Sequence, residues 1–204
     1  MVPYIPHTIE AARYRVKHLD YFHMRNLYFM MHEWFIEEGW ATRVDYDFGE
    51  KFYLHREHAK RGDEIWFWWR LTKGAPGQSG PNPFYEWHLD LDCHVVLLTE
   101  VEVVHEGEKF KANYGEPEIK VRAYILVDPK GTWQKKIILK DMYDVFTKRV
   151  WKAELQSQRI QLYREAYRLQ EAIKTYMKLQ LYLPEPEMAK WYPRKDFTDY
   201  DVKT

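Results

Sequence analysis

The chain has 204 residues, enough to bury one hydrophobic core without disulfides or metals. Its 31 Lys and Arg balance its 31 Asp and Glu, which argues against a global electrostatic grip on nucleic acid or an acidic membrane. Apolar and charged fractions near globular averages exclude a disordered or fibrous class, and a single cysteine, Cys93, excludes an intrachain disulfide.

The first residues, Met-Val-Pro-Tyr-Ile-Pro, lack the charged and apolar regions of a signal peptide. No run of eighteen uncharged apolar residues occurs, so no spanning helix is expected. A cytoplasmic protein is the expectation. The aromatic content is high, with nine Trp, sixteen Tyr and ten Phe, residues that serve cores and interfaces alike.

Residues 8–39 read as a long first helix. Thr8 is placed to cap it, Glu10 lies in its first turn, and Gly39 is a good residue to end it. Ile9, Ala12, Val16 and Leu19 recur at helical spacing. From Tyr21 to Phe35 apolar residues surround the axis, which calls for a second packing partner, either the C-terminal helix or another subunit.

Strands are expected over 42–139. Glu64 to Leu71 has the aromatic density of a central strand. Gly74 to Pro83 is a loop. Tyr85 to Val104 is too long for one straight strand, so a bend or bulge is expected near Leu97–Thr99. Glu106-Gly107 signals a hairpin, and Glu118 to Val127 is a further strand. Asp128-Pro129-Lys130-Gly131 is a strong turn, after which Thr132 to Leu139 is expected to return as a strand. Residues 141–183 then read as one helix of about 60 Å, longer than a small sheet can cover. Leu155, Leu162, Leu169, Tyr176 and Leu183 form a partial heptad seam on it, with Ala166 and Ile173 at the companion spacing. Pro184 ends the helix, and an aromatic arm follows.

The expected fold class is therefore α+β: an antiparallel meander sheet of about five to six strands flanked by a long N-terminal and a long C-terminal helix. Residues 1–183 read as one domain and 184–204 as an extended C-terminal arm.

Few motifs survive inspection. His88, Asp90, Asp92 and His94 alternate with apolar residues and so share one face of a strand, where imidazole and carboxylate could hold a divalent metal. The ordinary reading is a solvated strand face. His55 and His58 face opposite ways on a strand but can converge in a turn, with a surface role as the default. His32-Glu33 lacks the second histidine of a zincin helix, since Ile36 stands there. Cys93 falls on the apolar register and reads as a buried thiol. Between Lys130 and Lys178 twelve Lys and Arg face five Asp and Glu, an excess of seven, so a basic helix accompanies an acidic sheet.

These features favour a non-enzymatic structural or interaction protein that self-assembles or docks into a larger complex. Its expected interface comprises Tyr28, Phe29, Met31, Trp34 and Phe35 on the first helix, Leu155, Leu162, Leu169 and Tyr176 on the last, and Trp191, Tyr192 and Phe197 on the arm. One alternative is a small-molecule-binding protein or metal-dependent enzyme using the polar strand face. Another is a nucleic-acid-binding protein using Lys148, Arg149, Lys152, Arg159, Arg164 and Arg168.

Overall fold

A computed structural model of the chain describes residues 7–43, 48–58, 60–74, 84–105, 108–133, 135–136, 139, 142–143 and 145–179. The elements run β1 (His7–Lys17), β2 (Asp20–Phe22), α1 (Met24–Glu37), β3 (Glu50–Arg56), β4 (Asp63–Lys73), β5 (Tyr85–His105), β6 (Glu108–Val127) and α2 (Lys152–Leu179), with a single π-helical turn over Phe146–Val150 before α2. The strands form one antiparallel sheet ordered β1-β6-β5-β4-β3, and β2 continues the β1 edge along β6. The α+β class and the flanked antiparallel sheet of the sequence reading are the observed architecture.

The N-terminal helix is shorter than the sequence suggests. Residues 7–17 are a strand paired to β6, and Thr8 caps nothing. A register shift between Glu10 and Ala12 explains the misleading spacing. One bulged residue turns a two-residue step into three, so Ile9 and Ala12 mimic a helical interval. Beyond it Ala12 and Tyr14 point to the core, while Arg13, Arg15 and Lys17 point out.

α1 begins at Met24, whose N–H donates to Asn113 Oδ1 of β6 at 3.1 Å, so its cap comes from the sheet rather than from its own sequence. It ends as Gly39 predicts. Gly39 takes φ +73°, its N–H reaches the Ile36 carbonyl, and the Trp40 N–H reaches that of Phe35. That is the two-bond closure a glycine permits at this position. The helix buries Met24, Leu27, Tyr28, Met31, His32 and Phe35 as one stripe. Its Tyr28 and Phe35 rings meet Phe67 and Trp69 of β4 edge to face.

The second partner that α1 needs is α2 of the same chain, and the Tyr176 hydroxyl donates to the His23 carbonyl at 3.1 Å. Leu155, Leu162, Ala166, Leu169 and Ile173 lie buried against β1 and β6, so the heptad seam packs on this chain's own sheet. The continuous helix expected over 141–183 is interrupted by the π-helical turn. There Trp151 packs on Phe84, Trp133 and Phe146 at ring separations of 3.9, 5.2 and 5.3 Å.

The turn at Asp128 forms, with the Gly131 N–H on the Asp128 carbonyl at 3.0 Å. The strand expected over Thr132–Leu139 does not follow it. Thr132, Trp133, Lys135 and Lys136 are turn or bend, and Leu139 is helical. Two causes act together. The buried Asp128 carboxylate accepts from the Thr132 N–H, the Thr132 hydroxyl and the Trp133 N–H, taking donors that a ladder would need. β6 also lies between β1 and β5 and has no free edge to offer. The bend expected in β5 is present as a register shift between Val96 and Thr99, with Leu97 at φ +58°. The Glu106-Gly107 turn, Leu183 and the arm lie outside the described residues.

Both helices thus cover one sheet face. At their meeting point Lys73 of β4 bonds Glu165 of α2 and the Glu38 carbonyl that closes α1, and the Trp40 indole N–H donates to the same Glu165 carboxylate at 2.8 Å. Lys73 also sits over the Trp40 ring at 5.5 Å. Glu165→Leu, which strands Lys73 and the Trp40 N–H, is expected to cost about 3 kcal/mol in a urea unfolding curve, and Glu165→Gln less because it keeps an acceptor. An unchanged midpoint in Glu165→Leu would show that the pair clamps nothing.

Glu50 enters the same core, accepting from the Tyr28 hydroxyl at 3.2 Å and the Trp69 N–H at 3.3 Å. Burial holds its carboxyl above the ordinary carboxylate range, against the pull of Trp69 and Tyr28. A raised acid stabilises the fold only while protonated, so its contribution is lost as pH rises through the folded value. Glu50→Gln, which keeps the acceptor oxygen, is therefore expected to raise the melting temperature at neutral pH. The gain should shrink as pH falls below the ordinary carboxylate range; a pH-independent difference contradicts the assignment.

Candidate functional site

The sheet face opposite the helices is built from outward residues of every strand. Alternation on β4 buries Ile65, Phe67, Trp69 and Leu71, and turns Trp66, Trp68, Arg70 and Thr72 outward. On β5 the same rule buries Trp87, Leu89, Leu91, Cys93 and Val95, and turns His88, Asp90, Asp92 and His94 outward. Cys93 is the buried thiol the sequence predicts, and burial raises its pKa.

Register arranges this face in cross-strand rows. Leu54, Trp66, His94 and Glu118 make one, and Phe52, Trp68, Asp92 and Lys120 the next. Arg70, Asp90 and Arg122 follow, and then Thr72, His88 and Tyr124. Each row is a chain of direct cross-strand neighbours, the unit of sheet stabilisation.

The four predicted metal ligands lie on one face, but the rows divide them. His94 stacks on Trp66 at 4.6 Å and 12°, and His88 on Tyr124 at 5.3 Å and 13°. Arg70 reaches Asp92 at 2.7 Å and Asp90 at 3.6 Å. Burial lowers the pKa of His88 against the opposing effect of Glu86, and raises that of Asp90 against the opposing effect of Arg70. Among the described residues no group of three or more His, Cys, Asp or Glu is arranged to hold a metal ion. The strand spacing of about 7 Å is spent on neighbours in separate rows rather than on one centre.

The face has two halves. Over β1, β6 and β5 it is ionic: Glu10 meets Arg13 and Arg122, Glu118 meets Arg15 and Lys120, and Glu116 meets Lys17. Over β4 and the edge strand β3 it is aromatic. Phe52 and Trp68 stack at 4.4 Å, and Arg56 lies over Trp66 at 5.4 Å. Trp68 is 42% exposed and Leu54 38%.

The predicted interface residues lie elsewhere. Tyr28, Met31, Phe35, Leu155, Leu162 and Leu169 are buried in this chain's own core, which removes them from any docking surface. Phe29, Trp34 and Tyr176 are partly buried, and Trp34 and Tyr176 pack against that core. Trp191, Tyr192 and Phe197 lie outside the described residues. The basic residues do not form one stripe. At 100° per residue Lys152 and Arg159 fall on one flank of α2, and Arg164 and Arg168 on another. Arg159 donates to the Glu10 carbonyl, Arg168 pairs with Glu38, and Lys148 and Arg149 sit on the π-helical turn.

The His55 and His58 rings reach different carboxylates: His55 Nε2 lies 3.1 Å from Asp63 Oδ2, whereas the His58 ring lies 3.8 Å from Glu64 Oε2 and its backbone N–H donates to Asp63 Oδ1 at 3.3 Å. Only the β3–β4 register, invisible in the sequence, places Asp63 beside His55. No described helix is long and apolar enough to cross a membrane. Compared with known proteins, the chain matches no family model and no curated protein.

Removing one ring from a row tests this geometry. His94→Ala is expected to cost about 0.2–1 kcal/mol, the worth of a cross-strand pair, with or without a chelator. A cost that appears only in the absence of chelator would point to a bound metal instead.

Proposed function

We propose that this protein is a non-enzymatic interaction protein that self-associates through the aromatic half of its open sheet face. The observation that carries this reading is the Phe52–Trp68 stack beside Leu54, large apolar side chains left in water at the edge of an otherwise paired sheet. β3 is the terminal strand of the sheet order and pairs on one side only, to β4. An edge strand of this kind is a template for another chain.

A second copy suits the chemistry better than a charged partner. The ionic half of the face is already neutralised by its own pairs, so it offers no net charge to nucleic acid. The edge is self-complementary. An antiparallel two-fold at Leu54 sets Phe52 opposite the partner's Arg56, and the reciprocal contact repeats it. Such a contact joins cation to ring and extends the sheet without burying an unpaired charge.

Sedimentation velocity across a concentration series tests the proposal. The wild-type chain is expected to dimerise, and the Leu54→Glu/Trp68→Glu variant to remain monomeric and folded, with a melting temperature lowered by about 2–4 °C because the Phe52–Trp68 stack is lost and a carboxylate is set opposite Asp92. A wild-type monomer at millimolar concentration, or a variant that still dimerises, refutes it.

A further inference from the structure

The stretch between the Asp128 turn and α2 has a composition unlike the rest of the chain. From Lys130 to Lys152 it holds seven Lys and Arg against two Asp. Widening the count to Asp128 and Glu154 gives seven against four, so the excess does not depend on which of these groups pair. Asp128 is moreover buried and answered by Thr132 and Trp133, and the Glu154 carboxylate accepts from Tyr85 and Gln158. A surplus of cations therefore collects here in a chain whose total charge is zero.

Aromatic packing gathers that surplus into one place. Trp133 follows Lys130 in the turn, and its ring meets Phe146 and Trp151 at 5.3 and 5.2 Å. The turn that carries Lys130, Lys135 and Lys136 is thereby held beside the helical stretch that carries Lys148, Arg149 and Lys152, and all six are exposed. On that stretch Tyr143, Thr147, Trp151 and Leu155 recur every four residues, and Tyr143, Trp151 and Leu155 pack on the core. An α-helix would rotate such a row by about 40° per step, and the wider π turn over Phe146–Val150 absorbs the drift. Met142, Val145 and Val150 are left outward, 42%, 48% and 56% exposed. Apolar side chains in water are thus interspersed with cations. Beside them a cleft of about 330 Å³ lies among Lys148, Lys152, and His7 and Ile9 of β1, and among the described residues no carboxylate lines it.

We propose that this patch docks the protein onto an anionic lipid surface. The cations meet lipid phosphates and carboxylates, Met142, Val145 and Val150 enter the boundary between headgroups and acyl chains, and the cleft receives one phosphate headgroup. Cations around exposed apolar side chains are the build of a peripheral membrane contact. Nucleic acid would answer the cations but leave the three apolar side chains in water, whereas a lipid surface answers both. A zero net charge does not oppose this contact, because screening confines the attraction to groups within about 10 Å of the surface.

Flotation of the full chain with vesicles of phosphatidylcholine alone, and with vesicles containing about a third phosphatidylserine, tests the patch. Binding to the second is expected to be about tenfold tighter or more, and to weaken as salt rises. Arg149→Gln/Lys152→Gln should weaken it about twenty- to thirtyfold, roughly fivefold for each cation removed. Met142→Ser/Val150→Ser should weaken it about tenfold while leaving any binding to a duplex oligonucleotide unchanged. All four positions are exposed, so both variants should melt close to the wild type. Equal binding to the two vesicles, no binding to either, or full-strength binding by either variant overturns the proposal. A duplex oligonucleotide bound as tightly as the phosphatidylserine vesicles, with Met142→Ser/Val150→Ser without effect on either, assigns the patch to nucleic acid instead. None of these residues lies on the β3–β4 edge, so this proposal and self-association fail separately.

Discussion

The fold turns on the contact between Lys73 and Glu165. It joins the end of β4, the end of α1 and the middle of α2 at one buried point. A buried ion pair is weak evidence for stability, because desolvation offsets much of the attraction. Its value is directional. Lys73 finds its partners only when α2 crosses beside α1 on the same face, and Trp40 supplies the further hydrogen bond that satisfies the carboxylate. An apolar contact at this point would tolerate sliding; this one fixes how α2 lies on the sheet.

With both helices on one face, the other is covered among the described residues by side chains alone. Cross-strand rows cover the pleat with rings and ion pairs, so that His88, Asp90, Asp92 and His94 are half-buried by their neighbours rather than by a helix. The two edge strands differ in chemistry rather than in position: on β1, Arg13, Arg15 and Lys17 pair with Glu10, Glu118 and Glu116, whereas the rows that reach β3 end in Leu54 and Phe52. The aromatic half is thus where a one-sided sheet runs out of its own partners.

Much of this was legible in the sequence, and what was not has identifiable causes. Local chemistry read correctly: the glycine end of α1 at Gly39, the Asp128–Gly131 turn, the bulge near Leu97 and the buried register of Cys93. Each depends on residues close in the chain. The errors came where distant residues decide. A bulge in β1 disguised strand alternation as helical spacing, and β6 could not accept the strand expected after Asp128 because β1 already held its edge. The heptad seam was correctly placed on a helix but assigned to the wrong partner, since apolar periodicity says that a face is buried and not against what. The candidate site followed the same pattern. One-face alternation of the four polar residues was visible, whereas their division among rows depends on the register of β4 and β6.

The bend in β5 links these levels. Leu97 takes a left-handed conformation that a leucine adopts only when its surroundings impose it. Gly62 provides part of that imposition: at φ +77° in the β3–β4 turn, it brings the turn against the Leu97 backbone, where an added Cβ would lie 2.8 Å from the Leu97 carbonyl carbon. The next residue, Asp63, lies 3.1 Å from His55 Nε2. One close contact thus accompanies both the left-handed Leu97 and the approach of Asp63 to His55, and a larger residue at Gly62 should disturb both before it reaches the core.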